Sequence, residues 1–185
     1  MEIIIAGLVV LVCIALIAGI TIAFLLSLVG GLMTGVPYLA APRKLRTLLP
    51  DLYPLTPGSV FYDLGCGDGR FVWAMARRYP GATCIGVEMA PLPSILLWLR
   101  SRLTPLTNAH AVYGNFSNVG LGEATHVFLY LFPHLMAKLL PKLDSELPHG
   151  ARVISCDFPF PSRAPASTIP LGTGAHPHTL YVYEF

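Results

Sequence analysis

The chain has 185 residues, enough for one ordinary domain and an extension. It is 54% hydrophobic and only 12% charged, about half the usual charged fraction, which indicates contact with lipid. Residues 43–185 carry 12 basic and 9 acidic side chains. This excess is too small to favour nucleic acid as a partner, because nucleic-acid binding needs a concentrated basic face.

An uncharged stretch opens the chain, and its most apolar part covers Ile3–Val29. A helix of that length is about 40 Å long, more than the ~30 Å hydrocarbon core of a bilayer, so we expect one transmembrane helix rather than a buried soluble one. A cleaved signal peptide is disfavoured because the apolar core is too long and no basic segment precedes it. The helix is expected to end in a short connector that contains Gly30, Gly31, Gly35 and Pro37.

Basic residues flank this segment on its C-terminal side. Arg43, Lys44 and Arg46 follow it, whereas Glu2 precedes it. The positive-inside tendency therefore predicts a single-pass protein with its N-terminus outside and its globular part in the cytoplasm, with a bacterial inner membrane as the expected location. We divide the chain into an anchor with its connector at 1–35 and one domain at 36–185.

Strand-like and helix-like stretches alternate in the rest of the chain. Strands are predicted at 59–64, 82–88, 110–116, 125–132, 151–158 and 179–185, and helices at 69–79, 94–103 and 134–147, with Pro141 expected to kink or interrupt the last helix. The Pro- and Gly-rich segment at 159–178 is predicted to be loop with room for one short strand. This alternation predicts an α/β fold with a parallel sheet and helices on both faces.

Four cysteines are present, without a C-x-x-C pair or the spacing of metal ligands: Cys13, Cys66, Cys84 and Cys156. We expect small buried thiols in a reducing compartment. The sequence favours neither a disulfide nor a metal site, and His176-Pro-His178 alone does not supply one.

The glycine loop follows the first predicted strand, in "FYDLGCGDGR" at 61–70. Its spacing is G-x-G-x-G, which differs from the dinucleotide G-x-G-x-x-G, and the Lys-Ser/Thr of a P-loop is missing. Asp63 would repel a pyrophosphate but suits a ligand that carries an ammonium and a sulfonium, such as S-adenosylmethionine. The predicted cofactor residues in this loop are Asp63, Gly65, Cys66, Gly67 and Gly69.

A second acid supports this ligand. Glu88 ends the second predicted strand in "GVEMA", where a carboxylate can bind both hydroxyls of a ribose. NAD-binding proteins place an acid similarly, so Glu88 is informative only together with the glycine loop. A tight turn with helix-capping aspartates is the structural alternative.

On these motifs the chain resembles class I, seven-strand S-adenosylmethionine-dependent methyltransferases over about residues 36–185. "DLGCGDGR", "ARVISCDFPFP" and "VPYLAAPRKLRTLL" together are similar to a family of small membrane-associated lysine methyltransferases. That family modifies the c-ring protein of ATP synthase and the adenine nucleotide translocase, and it has prokaryotic relatives. Asn115 stands where the family usually has an acid after the third strand, and Ala40 and Ala41 replace a proline and a hydroxyl.

In such a fold the strand ends set the roles of the remaining candidates. Asn115 and Phe116 are assigned to the adenine, and Asp157 is expected either to orient or deprotonate the acceptor or only to cap a loop. Tyr130 is the second catalytic candidate. The residues expected to line the substrate channel are Phe132, Pro133, Phe158 and Pro159, although Phe158 and Phe160 also suit core packing.

The sequence thus predicts a membrane-anchored methyltransferase that uses S-adenosylmethionine and acts on a lysine of a membrane-associated protein, without a metal. One alternative is a lipid-like acceptor such as a quinone precursor. The other is a non-catalytic assembly protein that uses the fold for docking.

Overall fold

The structure, a computed structural model, describes residues 1–35, 43–171 and 178–185. In chain order its elements are α1 (Glu2–Thr34), α2 (Arg43–Leu52), β1 (Val60–Leu64), α3 (Arg70–Arg78), β2 (Thr83–Glu88), α4 (Pro91–Leu103), β3 (Ala109–Tyr113), a 3-10 turn (Phe116–Asn118), β4 (His126–Leu129), α5 (Pro133–Glu146), β5 (Arg152–Cys156), β6 (Ser167–Leu171) and β7 (His178–Glu184). Pro37 of the predicted connector lies at 36–42, outside the described ranges, as do Ala40 and Ala41 of the family motif.

The seven strands form one sheet in the order β3-β2-β1-β4-β5-β7-β6. β1 pairs in parallel with both β2 and β4, so the strand order reverses at β1. Open α/β sheets bind ligands at this switch point, beyond the carboxyl ends of the strands. The predicted seven-strand α/β fold is confirmed, and the loop that follows β1 lies at the expected place.

The expected parallel pairing holds from β1 to β5, and the edge formed by β6 and β7 is antiparallel. β7 is inserted between β5 and β6 and runs antiparallel to both. Residues 172–177 alone join β6 to β7. A connection between two parallel neighbouring strands needs about a dozen residues or more, so these two strands pair antiparallel. This insertion brings the start of β7 next to the carboxyl end of β5.

Three predicted strands are shorter in the structure because loop geometry begins earlier. β3 ends at Tyr113, and the side chain of Asn115 accepts a hydrogen bond from the backbone of Ser117 to cap the 3-10 turn. β4 ends at Leu129, so the four-residue strand does not reach the predicted 132. β5 ends at Cys156 because Asp157 has a left-handed φ of 64°.

The helices also differ from their predicted limits. Gly30 and Gly31 lie inside α1, which ends only at Gly35, a left-handed C-cap with φ 70°. Pro141 lies inside α5 without ending it. α4 begins at Pro91 rather than 94, since proline is favoured in the first turn of a helix. The sequence reasoning missed α2 as a helix.

Two buried clusters cover the two faces of the sheet. On one face, side chains of α2 and α3 and Leu97 of α4 pack on Phe61 and Cys84. On the other face, the buried residues of α5 pack on Leu64 and Val127. The sheet is therefore held rigidly from both sides, which leaves its carboxyl edge to carry the site.

Candidate active site

The glycine loop needs its glycines for backbone conformation and for space. Gly65, Gly67 and Gly69 have φ of 81°, 60° and 75°, all in the left-handed region. A Cβ added at Gly65 would lie 2.9 Å from Cδ2 of Leu131, and one at Gly69 would lie 2.5 Å from Cδ1 of Leu97. Side chains of any size are thus excluded where the loop passes the neighbouring elements.

Glu88 joins this loop to the start of α4. One carboxylate oxygen accepts a hydrogen bond from the backbone N–H of Gly67 at 2.8 Å. The other accepts from the N–H of Met89 at 2.8 Å and of Ala90 at 2.7 Å. Since Glu88 is also buried, its carboxylate holds two loops of the site at a fixed separation.

Asp63 is buried beneath the loop with one carboxylate oxygen, Oδ2, that has no hydrogen-bond partner among the described residues. Burial, followed by the charges of Glu88 and Asp68, raises the pKa of Asp63 well above its usual value. A cation bound nearby would relieve this repulsion. The acid inferred from the sequence is therefore present at Asp63, and its charged form is disfavoured unless a cation lies beside it.

Asp68 has a different role, which the sequence reasoning missed. It forms salt bridges with Arg70 at 2.8 Å and with Arg100 at 2.9 Å. These guanidinium groups hold the pKa of Asp68 below its usual value against the effect of burial. Asp68 therefore connects the glycine loop to α3 and α4. The sequence contained an indication of this role, because Arg70 and Arg100 lie in the two helices predicted after the loop.

Cys66 is predicted as a cofactor residue, but its side chain packs under the loop. A Cβ at Gly86 of β2 would lie 2.8 Å from its sulfur. Burial, followed by nearby carboxylates, raises the pKa of the Cys66 thiol, which therefore stays neutral. Cys66, Cys84 and Cys156 are buried free thiols, as expected, and Cys13 is exposed on α1.

A cavity of about 310 Å³ opens at the carboxyl edge of β1, β2 and β4. Four of the predicted cofactor residues line it: Gly65, Glu88, Asn115 and Phe116. Two predicted acceptor-side residues, Tyr130 and Phe132, line its other end. The cavity therefore joins residues from both halves of the predicted site. Eight other predicted residues are not among the described residues that line it: Asp63, Cys66, Gly67, Gly69, Pro133, Asp157, Phe158 and Pro159.

Helix α1 contributes an unexpected wall to this cavity, through Ser27, Gly30, Gly31, Met33 and Thr34. Gly30 is buried against the start of α4, where a Cβ would lie 3.4 Å from Cβ of Ala90 and 3.5 Å from Cδ of Pro91. The sequence suggested a separate anchor and connector. In the structure the last turns of α1 line the cavity.

Aromatic residues lie together at the predicted acceptor side. Phe132 and Phe158 are stacked, with ring centroids 5.7 Å apart, and Tyr130 lies 6.1 Å from Phe158. Pro133 begins α5, and Pro159 is exposed beside this group. Phe160 is instead core, packed on Tyr183 and Phe185 beneath the tail.

Asp157 lies behind Tyr130 in a hydrogen-bonded network. Its Oδ2 lies 2.8 Å from Nδ1 of His178, and its Oδ1 accepts from the N–H of Thr179 at 2.9 Å. Burial, followed by the charge of Asp157 and a hydrogen bond to it, raises the pKa of Tyr130 to about 12. The left-handed φ of Asp157 is a strained conformation of the kind that clusters at functional sites.

His178 is the functional candidate that the sequence reasoning missed. The insertion of β7 beside β5 carries it to Asp157, and no local spacing indicates this neighbour. Ligand atoms of Cys156, Asp157 and His178 lie within 4.8 Å of one another, so these groups are also of the kinds that can hold a metal ion.

The residues present fit S-adenosylmethionine. The unpartnered oxygen of Asp63 and its raised pKa suit a cationic ligand, and Gly65 lines the cavity in a left-handed conformation that favours glycine. Glu88 presents a carboxylate on the cavity wall, and Asn115 lies at the far side of the same cavity.

Sheet order, glycine loop and cavity together define a class I S-adenosylmethionine-dependent methyltransferase. A solved RNA methyltransferase from Salinibacter ruber, in complex with S-adenosyl-L-homocysteine, superposes with a TM-score of 0.70 at 30% identity, over 79% of this chain and 93% of that one. The family model of the ANTKMT methyltransferase domain matches residues 63–167, more than half of the chain. The chain belongs to this family, and its cofactor is S-adenosylmethionine.

Curated relatives share this assignment. A protein-lysine N-methyltransferase of Saccharolobus islandicus (strain REY15A) is 32% identical over 80% of this chain and 92% of its own length. The human lysine N-methyltransferase of the ATP synthase c-ring protein is 29% identical over 87% of this chain and 74% of its own length. The mouse adenine nucleotide translocase lysine N-methyltransferase is 32% identical over 75% of this chain and 60% of its own.

Proposed function

We propose that this enzyme methylates a lysine of a membrane-associated protein while α1 anchors it in the bilayer. The observation that carries the proposal is that the last turns of α1 line the same cavity as Glu88 and Tyr130. Methyl transfer would then take place beside the point where the anchor leaves the membrane. The relatives named for the ATP synthase c-ring protein and for adenine nucleotide translocase support a protein lysine as the acceptor.

The exposure of α1 supports its role as an anchor. The helix is long and apolar enough to cross a membrane. Residues 3–22 are exposed all round, whereas Ala23, Leu26, Gly30 and Thr34 are covered in part or fully by the domain. Twenty helical residues span about 30 Å, the thickness of the hydrocarbon core. The remaining three turns therefore extend into the headgroup region and meet the domain there.

The orientation follows from charge. Arg43, Lys44 and Arg46 follow α1, and the positive-inside tendency places them, with the 36–185 methyltransferase domain, on the cytoplasmic side. A protease added to sealed inside-out vesicles should digest the domain, whereas right-side-out vesicles should protect it. The reverse pattern would contradict this orientation.

The chemistry is an in-line displacement in which positioning and exclusion of water supply most of the acceleration. The cofactor supplies an electrophilic methyl group. A lysine amine has an ordinary pKa of ~10.4, so roughly one in 10³ is neutral at pH 7. The protein must therefore remove a proton before attack.

We assign this proton to the pair of Asp157 and His178, which lies behind Tyr130. The ammonium would give its proton to the Tyr130 hydroxyl oxygen while the hydroxyl proton passes to the Asp157 carboxylate, which leaves Tyr130 neutral. The Tyr130 hydroxyl, whose raised pKa keeps it protonated, orients the amine through its oxygen. The stacked rings of Phe132 and Phe158 offer one apolar surface to the aliphatic part of the lysine and exclude water. Asp63, Gly65 and Glu88 bind the cofactor.

The test is transfer of radiolabel from S-adenosylmethionine to native membranes. Label in a protein band, released as methyllysine on hydrolysis, supports the proposal. Label that extracts with lipid indicates the lipid-like acceptor, label in RNA indicates a nucleic-acid acceptor, and no transfer indicates a docking protein. Asp63→Ala should abolish cofactor binding.

Asp157→Asn tests the proton assignment. We expect kcat to fall by about 10²–10⁴ with the Kd of S-adenosylmethionine unchanged, because removal of a general base affects only the chemical step. Asp51→Asn, at an exposed position, is the control. Loss of activity on addition of a chelator would instead assign Cys156, Asp157 and His178 to a metal.

A further inference from the structure

Helix α4 is apolar on both sides, although it lies at the surface of the domain. Its inner side buries Leu97. Its outer side carries five large apolar residues that are 40–70% exposed: Ile95, Leu96, Trp98, Leu99 and Leu103. Positions 95, 98, 99 and 103 follow the helical period, so these residues form one stripe, named here the outer stripe of α4. Contiguous exposed apolar residues of this kind mark a contact surface.

The outer stripe begins beside the anchor. α4 starts at Pro91, which packs on Gly30 of α1. At ~1.5 Å per residue, Ile95 lies about 6 Å along the helix from that contact, and Leu103 about 18 Å. The lipid-exposed surface of α1 and the outer stripe are therefore neighbours, joined through the contact between the two helices.

Charge favours an anionic lipid surface as the occupant. Between Glu88 and Glu123 the sequence contains no acidic residue, and two arginines lie in the last turn of α4. Arg100 is held by its salt bridge with Asp68, so Arg102 is the basic residue beside the outer stripe. The guanidinium of Arg102 lies 5.9 Å from the ring centroid of Trp98. Tryptophan with arginine beside an apolar stripe is typical of helices that lie at the headgroup level of a bilayer.

We propose that the outer stripe of α4 lies in the headgroup–acyl boundary of the same bilayer that α1 spans. The inference rests on the proposed anchor and goes beyond it, because α1 alone would leave the domain free to turn. Two contacts fix its tilt. Since Ala90 and Pro93 at the start of α4 line the cofactor cavity, this second contact holds the cavity at a set height above the membrane.

Tryptophan fluorescence tests the proposal in the full chain. The protein has two tryptophans, and Trp73 is buried, with its Nε1–H donating to the carbonyl of Thr104 at 2.7 Å. We would reconstitute the wild type and Trp98→Phe in nanodiscs of phosphatidylcholine and phosphatidylglycerol, with and without bromine at carbons 6 and 7 of the acyl chains. The difference between the two proteins gives the signal of Trp98.

Bromolipid should quench the Trp98 signal by at least about half and leave Trp73 unchanged. A matched reporter, Trp98→Phe with Ser145→Trp at the exposed end of α5, should stay unquenched. Leu99→Glu with Leu103→Glu should abolish quenching of Trp98 and leave the Kd of S-adenosylmethionine unchanged.

Equal Trp98 intensity in both lipids, or burial of Trp98 by a second copy of the chain in a cross-linked dimer, overturns the proposal. Failure of the anchor is a different result. If α1 does not span the bilayer, alkaline carbonate should release the protein from the membranes. If only the contact of α4 with lipid is absent, the protein should stay in the membrane pellet.

Discussion

Replacement of Glu88 by glutamine isolates the effect of one carboxylate oxygen on the site. Three backbone N–H groups converge on this side chain, one from Gly67 and two from Met89 and Ala90. An amide has a single acceptor oxygen. If it serves Met89 and Ala90, its NH₂ group faces the N–H of Gly67, and two donors oppose each other in a buried position.

The loss of stability on Glu88→Gln can be estimated from these three hydrogen bonds. Loss of one buried hydrogen bond to a charged group costs about 1.5–3 kcal/mol, and the weaker neutral acceptor for the other two adds roughly 0.5–1 kcal/mol. We therefore expect Glu88→Gln to lower the free energy of unfolding by about 2–4 kcal/mol. For a chain of this size that corresponds to a fall in Tm of roughly 4–16 °C.

The assays are thermal unfolding of the detergent-solubilised full chain and calorimetric titration with S-adenosylmethionine. Because Gly67 belongs to the cofactor loop, its displacement should also raise the Kd of the cofactor at least about tenfold. Glu123→Gln, at an exposed site, is the control and should change the unfolding free energy by less than about 0.5 kcal/mol. A Glu88→Gln protein with the Tm and Kd of the wild type would refute the reasoning.

Three further predictions concern packing and pH. Gly30→Leu should separate α1 from α4 and raise the Kd of S-adenosylmethionine about tenfold, a loss of ~1.4 kcal/mol of binding free energy. Gly19→Leu is the control and should leave the Kd unchanged, because nothing lies within 4 Å of its Cβ position. Equal effects of the two substitutions would contradict the contact between α1 and α4. Gly69→Ala would place a Cβ at a residue with a left-handed φ of 75° and 2.5 Å from Cδ1 of Leu97. A thermal melt should therefore show a loss of about 2–5 kcal/mol in the free energy of unfolding. Gly122→Ala, with nothing within 4 Å of its Cβ position, is the control and should change it little. Burial, aided by the nearby Arg152, lowers the pKa of His126 to about 4. As the pH falls below ~6.5, His126 is therefore protonated in the unfolded chain before it is protonated in the folded one. The contribution of neutral His126 to the free energy of unfolding is complete above pH ~6.5 and is lost as the pH drops toward 4. In Tm measurements over this range His126→Gln should show a smaller slope than the wild type, and an unchanged slope would count against this role.

Local patterns carried much of the information about this protein. The uncharged N-terminal stretch, the glycine loop after an apolar run and the acid in "GVEMA" each lie within one continuous segment of the chain. Period and spacing therefore predict the long helix, the α/β alternation and the cofactor class without knowledge of distant contacts. The glycines at 65 and 69 are placed where a positive φ and close neighbours require them.

Only the tertiary structure decided which distant residues meet. β7 enters the sheet antiparallel and brings His178 to Asp157, and the pairing register that does this depends on side chains from opposite ends of the domain. The end of α1 folds onto the start of α4 because Gly30 lacks a side chain there, which makes the last turns of α1 a wall of the cavity. Such contacts result from packing between elements far apart in sequence, and no spacing along the chain encodes them.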